Sequence, residues 1–337
     1  MKILIICKGS KEQGLGHLFR TKAFANLASF DNDVEVIAII QEELKCIFQE
    51  INCCVHFVKK DKQALSYINK FSPDILAFDL LSIDNRVFLY CKENIKTIIS
   101  ISPIFEHMNS IDMLFTRSSV VPKIQGVKIC SGLRYSIFGD HIENISDRKY
   151  RENISRPELS IAICMGGADA KNKTLLVLNT LLKYSSSLTI WVLLGEGYAH
   201  SYDELVSTVR ANPQHEIILA KTVRSMWRVL GNCSLAILTG GLTTTEAVYA
   251  GLPTINLFEK KEYVNVISPE FFKKGACING GLLSDNSLKK MNRLLKKIDN
   301  NRGLLWKMHR HCKGLLDQKG SERVLKKIKE FIKHANK

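Results

Sequence analysis

No stretch of this sequence is apolar for anything near the roughly 20 residues that a membrane-spanning helix needs. Its apolar runs are short, and the first, residues 3–7, is too brief for a secretory core and has no cleavage site behind it, so it reads as a strand. The chain is therefore expected in the cytoplasm. Paired C-x-x-C spacing is also missing, although there are ten cysteines: Cys7, Cys46, Cys53, Cys54, Cys91, Cys130, Cys164, Cys233, Cys277 and Cys312. Most of them sit in apolar, strand-like runs, which fits buried free thiols in a reducing compartment better than a disulfide framework or a metal site. Low-complexity tracts are lacking too. With 45% hydrophobic and 24% charged residues the composition is that of a folded protein rather than a disordered one.

Acidic charge is scarce at one end only. From Lys289 to Lys337 there are 16 Lys and Arg against 4 Asp and Glu, so +12 of the net +15 lies in that stretch. The remainder is nearly balanced, which argues against a general nucleic-acid binder. The basic end suits a membrane surface or a polyanion, and equally the solvated side of an amphipathic helix; its apolar positions Val324, Ile328, Phe331 and Ile332 recur at helical spacing.

What the sequence does have is alternation. A chain of 337 residues is comfortable for two domains. Strand-like runs at 3–7, 34–40, 53–58, 75–78 and 97–101 are separated by helix-like stretches, among them 18–30, where Phe19, Ala23, Leu27 and Phe30 share a face. The polar stretch 141–158 interrupts this pattern. Alternation then resumes with strands at 159–165, 188–194, 216–219, 235–238 and 254–258, and helices at 173–183, 202–209, around Trp227, and at 243–250. Such a pattern predicts parallel sheets covered by helices on both faces, in two doubly wound α/β domains. The expected division is a first domain 1–142, a linker 143–158, a second domain 159–305 and a basic C-terminal helix 306–337.

In open parallel sheets ligands bind where strand ends turn through glycine into helix N-termini. Three places have that form. Gly14-Leu15-Gly16-His17-Leu18-Phe19-Arg20 follows the first strand; the glycines permit close backbone approach, and His17 opens a helix where an imidazole can act as a base. The spacing is not G-x-G-x-x-G, so the dinucleotide fingerprint is absent. Gly166-Gly167-Ala168-Asp169-Ala170-Lys171-Asn172 opens the second domain and suits a diphosphate, unless Asp169 simply caps the helix. Gly240-Gly241-Leu242-Thr243-Thr244-Thr245-Glu246 is either a capping box from Thr243 to Glu246, closed by Gly251 and Pro253, or a seat for ribose and phosphate.

Taken in order, G-x-G-H-x-x-R, G-G-x-D-x-x-N and a Gly-Gly-to-Glu helix ending in G-x-P resemble the pseudaminic-acid-pathway nucleotide-sugar hydrolases and spore-coat polysaccharide enzymes (the PseG/SpsG-like family). That family is related to the MurG-type glycosyltransferase that makes lipid II. Gly132-Leu133-Arg134-Tyr135 and Lys319-Gly320-Ser321-Glu322-Arg323 extend the likeness over nearly the whole chain. The resemblance implies a GT-B architecture: two Rossmann-like domains facing across a cleft, with the C-terminal helix crossing back to the first. It implies donor binding by the second domain, with Gly166, Gly167, Asp169 and Asn172 near the nucleotide and phosphates, Gly240, Gly241, Thr243 and Thr244 beside them, and Glu246 on the ribose. His17 would be the general base, with Arg20, which would orient the loop or hold negative charge, and Asp79 as the other catalytic residues, and Gly14 and Gly16 would join the nucleotide- and phosphate-binding set. No metal and no cofactor are implied.

Departures from the family bear on the reaction. Where the hydrolases carry Asp-His-Tyr after the fourth strand, this chain reads Asp79-Leu80-Leu81; an expected Asp-Asp pair is replaced by Ser102-Pro103, and an Asn-Gln pair by Tyr263-Val264. Residues tied to water attack are missing while donor-side features persist. The expectation is an inverting glycosyltransferase of bacterial surface-glycan synthesis that takes a UDP- or CMP-sugar, such as a nonulosonic or acetamido sugar. Its acceptor would be a glycan, lipid-linked or protein group, with peripheral contact at the inner face of the membrane through the basic end. The alternatives are a nucleotide-sugar hydrolase and a non-catalytic nucleotide-sugar-binding protein.

Overall fold

The computed structural model describes residues 1–10, 14–102, 105–118, 120–121, 123–139, 141–195, 197–221, 226–266 and 269–335. Pro103 lies outside them. The chain divides into two units, Met1–Asp140 with Asp317–Lys337, and His141–Leu316.

The first unit runs β1 (Lys2–Lys8), α1 (Gly16–Ala28), β2 (Asp33–Ile39), β3 (Cys54–Val58), α2 (Ala64–Phe71), β4 (Ile75–Asp79), α3 (Asn85–Asn94), β5 (Thr97–Ser100), β6 (Met113–Thr116) and β7 (Lys128–Ser131). Its strands form one sheet in the order β3-β2-β1-β4-β5-β6-β7, with every pairing parallel. Because successive side chains of a strand point to opposite faces, β1 feeds two cores. Ile3 and Ile5 pack on the side of α1, and Leu4 and Ile6 pack with Ile68 of α2 and Phe88 of α3.

The second unit runs α4 (Asp147–Ile154), β8 (Leu159–Cys164), α5 (Lys173–Leu181), β9 (Leu188–Leu194), α6 (Tyr202–Arg210), β10 (Glu216–Lys221), α7 (Met226–Leu230), β11 (Leu235–Leu238), α8 (Leu242–Ala250), β12 (Thr254–Phe258), α9 (Lys261–Val266), α10 (Pro269–Lys273), β13 (Cys277–Leu282), α11 (Asp285–Asn300) and α12 (Gly303–Cys312). Its sheet order is β10-β9-β8-β11-β12-β13, again parallel throughout. The final helix, α13 (Gly320–Ala335), belongs to the first unit.

In each sheet the chain winds outward from a central strand in one direction and then in the other. The order reverses between β1 and β4 in the first unit, and between β8 and β11 in the second. A crevice opens at the carboxyl ends of strands at such a switch point.

Several local expectations need correction. The buried face of α1 is Leu18, Thr21, Phe24, Ala25 and Ala28, whereas Phe19 is 37% and Phe30 76% exposed. The helix lies on the sheet through a stripe rotated from the apolar one that the sequence suggested. Segment 143–158 holds α4, started by Ser146, whose hydroxyl accepts the Lys149 amide hydrogen. Tyr150 of that helix is fully buried, donates its hydroxyl to Ser234 O at 2.7 Å, and stacks on His309 with ring centroids 4.2 Å apart. Strands β6, β7 and β13 add to the sheets beyond what periodicity suggested. The first two have four residues each, and β13 carries Gly280 and Gly281.

In α13 the expected face is in place. Val324, Leu325 and Ile328 are buried and join the α1-side core of the first unit, with Phe331 and Ile332 partly buried against it. Each fully buried aliphatic of this kind contributes about 1.5–3 kcal/mol. The turn at Gly132 and the start of α13 meet here. A Cβ on Gly320 would lie 1.8 Å from Ser136 O, and Arg323 Nη1 donates to Arg134 O at 3.2 Å. These two segments are thus a docking seam for the C-terminal helix. An open groove of about 600 Å³ beside the helix is lined by Leu27, Phe30 and Leu325, with the lysines Lys326, Lys329 and Lys333 matched by the acidic Asp31, Glu322 and Glu330. No helix among the described residues is long and apolar enough to cross a membrane.

Candidate functional site

At the switch point of the first unit, Asp79 ends β4 directly beside Cys7 of β1. Three side chains of α1 converge on it, from positions i, i+3 and i+4 of one helical face. His17 Nδ1 lies 2.6 Å from Asp79 Oδ1, Arg20 Nε donates to Oδ2 at 2.9 Å, and the Thr21 hydroxyl donates to Oδ2 at 3.3 Å. Arg20 Nη2 also donates to Oδ1 and lies 3.0 Å from His17 Nδ1. Asp79 is fully buried, while the side chains of His17 and Arg20 each keep 14% exposure. Burial by itself would push the Asp79 carboxyl up, but Arg20 and His17 more than offset it and hold it below the ordinary carboxylate value.

The chemistry of this cluster follows from its geometry. An ionised Asp79 accepts the Nδ1 hydrogen of His17, fixes the tautomer, and leaves Nε2 with the lone pair. The acceptor side of the carboxylate is saturated by Arg20 and Thr21, so the imidazole is held from behind. Gly14, at φ +88°, donates its amide to Ser10 O at 2.9 Å and turns the chain toward Gly16, the first residue of α1. Thr21 is the partner that sequence reading missed; its spacing of four from His17 is the signal.

In the second unit the glycine turns follow β8 and β11, the two strands flanking its switch point. A Cβ on Gly166 or on Gly241 would in each case lie 3.9 Å from Thr239 Oγ1, so the two turns are immediate neighbours. Asp169 adopts φ +45°, is 4% exposed, and accepts the backbone amides of Lys173 and Thr174 at 2.8 Å each. Its carboxylate therefore holds the first amides of α5 from three residues ahead of the N-cap, which is Asn172 rather than Asp169 itself. Asn172, also left-handed at φ +50°, accepts the Tyr198 hydroxyl at 3.0 Å. Burial chiefly, with Asp169 nearby, pushes the Tyr198 phenol up to about 12, so it remains a donor.

The turn after β11 is arranged differently. The capping box expected from Thr243 to Glu246 is not formed: Gly241 is the N-cap and α8 begins at Leu242. The amino end of α8 carries the partial positive charge that favours an anion. Gly240 must be glycine, since at φ +78° a Cβ would fall 2.1 Å from the Phe258 ring. Thr243 is half-buried, Thr244 is fully buried and donates to Asn256 Oδ1 at 2.9 Å, and Glu246 is 5% exposed.

Two further groups at this edge escaped the sequence reading. Gly195 and Gly197 follow β9, and a Cβ on Gly195 would lie 2.4 Å from Gly167 O, to which the Gly197 amide donates at 2.8 Å. The G-x-G spacing straight after a strand was the available signal. Glu259, just past β12, pairs with Lys171 at 2.8 Å and with Lys173 at 3.3 Å. Hydrogen bonding from Lys171, with help from Lys173, holds its carboxyl below the ordinary value.

The two units, each a Rossmann-like domain on a parallel sheet of seven or six strands, make this a GT-B protein, and solved structures agree over essentially the full chain. MurG of Acinetobacter baumannii matches with a TM-score of 0.67 at 14% identity, over 98% of this chain and 100% of that one. A UDP-N-acetylglucosamine 2-epimerase (putative) of Listeria monocytogenes gives 0.65 at 14%, over 99% and 97%. The Anabaena protein HepE in complex with UDP-glucose gives 0.65 at 12%, over 99% and 100%.

Among sequences, the spore coat polysaccharide biosynthesis protein SpsG of Bacillus subtilis is 22% identical over 96% of both chains. An uncharacterized protein of Methanocaldococcus jannaschii is 26% identical over 77% of this chain and 56% of its own length, so the chain spans only about half of that relative. No protein-family model matches. The resemblance to SpsG and to MurG-type proteins thus holds at the level of weak homology and shared fold.

Proposed function

We propose that this chain is a metal-independent, inverting glycosyltransferase that takes a nucleotide-activated sugar as donor for surface-glycan synthesis. The observation that carries it is the His17–Asp79 pair, at 2.6 Å and braced by Arg20, on the carboxyl edge of the first sheet. His17 Nε2 takes the proton of an acceptor hydroxyl. That oxygen attacks the anomeric carbon from the face opposite the nucleotide, the bond from carbon to phosphate oxygen breaks, and its electron pair leaves with the nucleotide. The glycine turn after β8 and the amino end of α8 would bind the departing phosphate without a metal, and Glu246 would hold the ribose.

The relatives support the donor class. HepE is in complex with UDP-glucose, a Staphylococcus aureus neighbour is in complex with UDP, and SpsG is named for polysaccharide biosynthesis. A uridine diphosphate sugar is the donor that these favour, with a cytidine monophosphate sugar as the alternative. A lipid-linked acceptor suits the apolar part of the groove at Leu27, Phe30 and Leu325, which would also make contact with a membrane surface.

The same dyad would serve on water, and the neighbours include epimerases, so the test separates transfer from hydrolysis. The protein is incubated with a radiolabelled UDP-sugar, with and without a membrane-lipid or glycan extract as acceptor. Label moving to the extract, and little free sugar in its absence, is the expected result. Free sugar at full turnover without acceptor would overturn the transferase reading in favour of a hydrolase, and nucleotide binding with neither outcome would leave a binding protein.

A further inference from the structure

At the far end of the first sheet, away from the carboxyl edge, three side chains of unlike chemistry meet. Glu35 stands near the start of β2, and Cys54 and His56 stand at alternate positions of the edge strand β3, in register with it: Glu35 pairs with Cys54, and Ile37 with His56. Alternation puts all three on one face of the sheet. His56 Nε2 is 2.7 Å from Glu35 Oε2 and 3.6 Å from Cys54 Sγ, and all three donor atoms lie within 4.8 Å of one another. Tyr67 of α2 stacks on the imidazole at 4.3 Å with the planes 25° apart, which fixes the ring and aims Nε2 at the other two groups.

Cys54 also breaks the pattern expected of the cysteines. Among the ten, seven are buried and Cys46 and Cys53 are half-buried, but Cys54 is exposed. The neighbouring Cys53 packs against the opposite, α1-side core. An exposed thiol next to an imidazole and a carboxylate, on the strand that ends the sheet order among the described residues, has no role in the reaction proposed above.

We propose that Glu35, Cys54 and His56 form a zinc site that staples the edge strand β3 to β2. A tetrahedral zinc with Zn–S of about 2.3 Å and Zn–N of about 2.0–2.1 Å separates sulfur and nitrogen by about 3.5 Å, close to the 3.6 Å already present. Nitrogen and carboxylate oxygen would need about 3.4 Å, so their hydrogen bond opens by rotation of the half-exposed Glu35 side chain. On binding, Cys54 gives its thiol proton to solvent and ligates as thiolate, His56 ligates through the Nε2 lone pair, and Glu35 ligates through one oxygen. Two negative ligands balance the dication, and water fills the fourth position. Thiolate and imidazole together select a borderline-soft ion such as zinc over magnesium or calcium.

The site is tested on the full chain, kept reduced and stripped of metal, by titration with cobalt(II) as a spectroscopic stand-in and then with zinc. Expected are one cobalt per chain, a thiolate-to-cobalt charge-transfer band with the intense visible bands of a tetrahedral ion, displacement of both by zinc, and slower hydrogen exchange of β3 amides in the zinc form. Cys54→Ser should abolish the charge-transfer band, and Cys53→Ser should leave it. Partners outside the ligand shell are already worth about 10–100-fold in affinity, so Glu35→Gln and His56→Ala should each weaken zinc at least tenfold. A cobalt spectrum without the thiolate band, a band that survives Cys54→Ser, or zinc affinity indifferent to all three substitutions would overturn the proposal. Since Cys54 is exposed and Glu35 half-buried, these variants are expected to fold, and circular dichroism of the metal-free forms checks it.

Discussion

His17 and Asp79 stand 62 positions apart in the chain and meet at 2.6 Å. Adjacency of β1 and β4 at the point where the sheet order reverses brings them together, since the helix after one strand then begins over the end of the other. The contact places a buried carboxylate behind an imidazole that retains some exposure, and Arg20 keeps that carboxylate ionised.

If this pair is the base, its loss should fall on turnover and spare donor binding. His17→Ala is expected to lower kcat for sugar transfer by about 10²–10⁴-fold, the usual contribution of a positioned base. Asp79→Asn, which keeps the volume but not the charge, should lower it in the same direction. Steady-state kinetics with equilibrium binding of a uridine nucleotide checks both. Transfer that survives His17→Ala would remove the histidine from its assigned role.

The same carboxylate makes stability depend on pH with a definite sign. The Asp79 carboxyl lies lower in the folded protein than in the unfolded chain, so the folded state binds the proton less readily. Its stabilising contribution is therefore complete above the ordinary carboxylate value of about 3.9 and is lost as pH falls through the lower folded value. Urea midpoints of the wild type and Asp79→Asn should differ most near neutrality and converge as the pH drops below that ordinary value. A gap that stays constant on acidification would contradict the assignment.

Much of the architecture was legible because buried parallel strands are near-continuous apolar runs, as in Ile3 to Cys7 or Leu235 to Leu238. Short strands gave no such signal: β7 is Lys128-Ile129-Cys130-Ser131, and β13 includes two glycines. The polar look of 143–158 concealed α4, because a helix anchored by one buried Tyr150 and one buried Asn153 needs little apolar periodicity. At the candidate site, local sequence pointed to the turns that carry His17, Asp169 and Glu246, but not to which side chains meet. The His17–Asp79 contact and the closeness of Gly195 to Gly167 are products of strand order, which no window of sequence contains.

Asp169 separates a structural role from a ligand contact. Its two carboxylate oxygens accept the first amides of α5, so Asp169→Ala should destabilise the protein by about 1 kcal/mol, in the range of lost helix caps at about 0.5–2 kcal/mol. The left-handed φ of +45° adds to the cost of alanine there. Asp169→Asn keeps an acceptor oxygen and should lose less. Urea denaturation of the ligand-free protein measures this directly, and wild-type stability in Asp169→Ala would mean that the carboxylate does not serve as a cap.

Gly320 is the most sharply constrained glycine of the docking seam. A methyl group there would lie 1.8 Å from the backbone oxygen of Ser136, and no rotamer change relieves a clash between Cβ and backbone. Gly320→Ala must therefore shift the start of α13, and with it the packing of Val324, Leu325 and Ile328 on the α1-side core. Overpacking of this kind costs about 1–3 kcal/mol. Arg323 offers the contrast. It bonds Arg134 O and the Asp317 carboxylate from a partly exposed position, so Arg323→Ala should cost less than about 1 kcal/mol. Urea midpoints rank the two, and hydrogen exchange should show α13 amides losing protection in Gly320→Ala before those of β1. Equal protection of α13 in that variant and in the wild type would mean that the helix does not depend on close approach at Ser136.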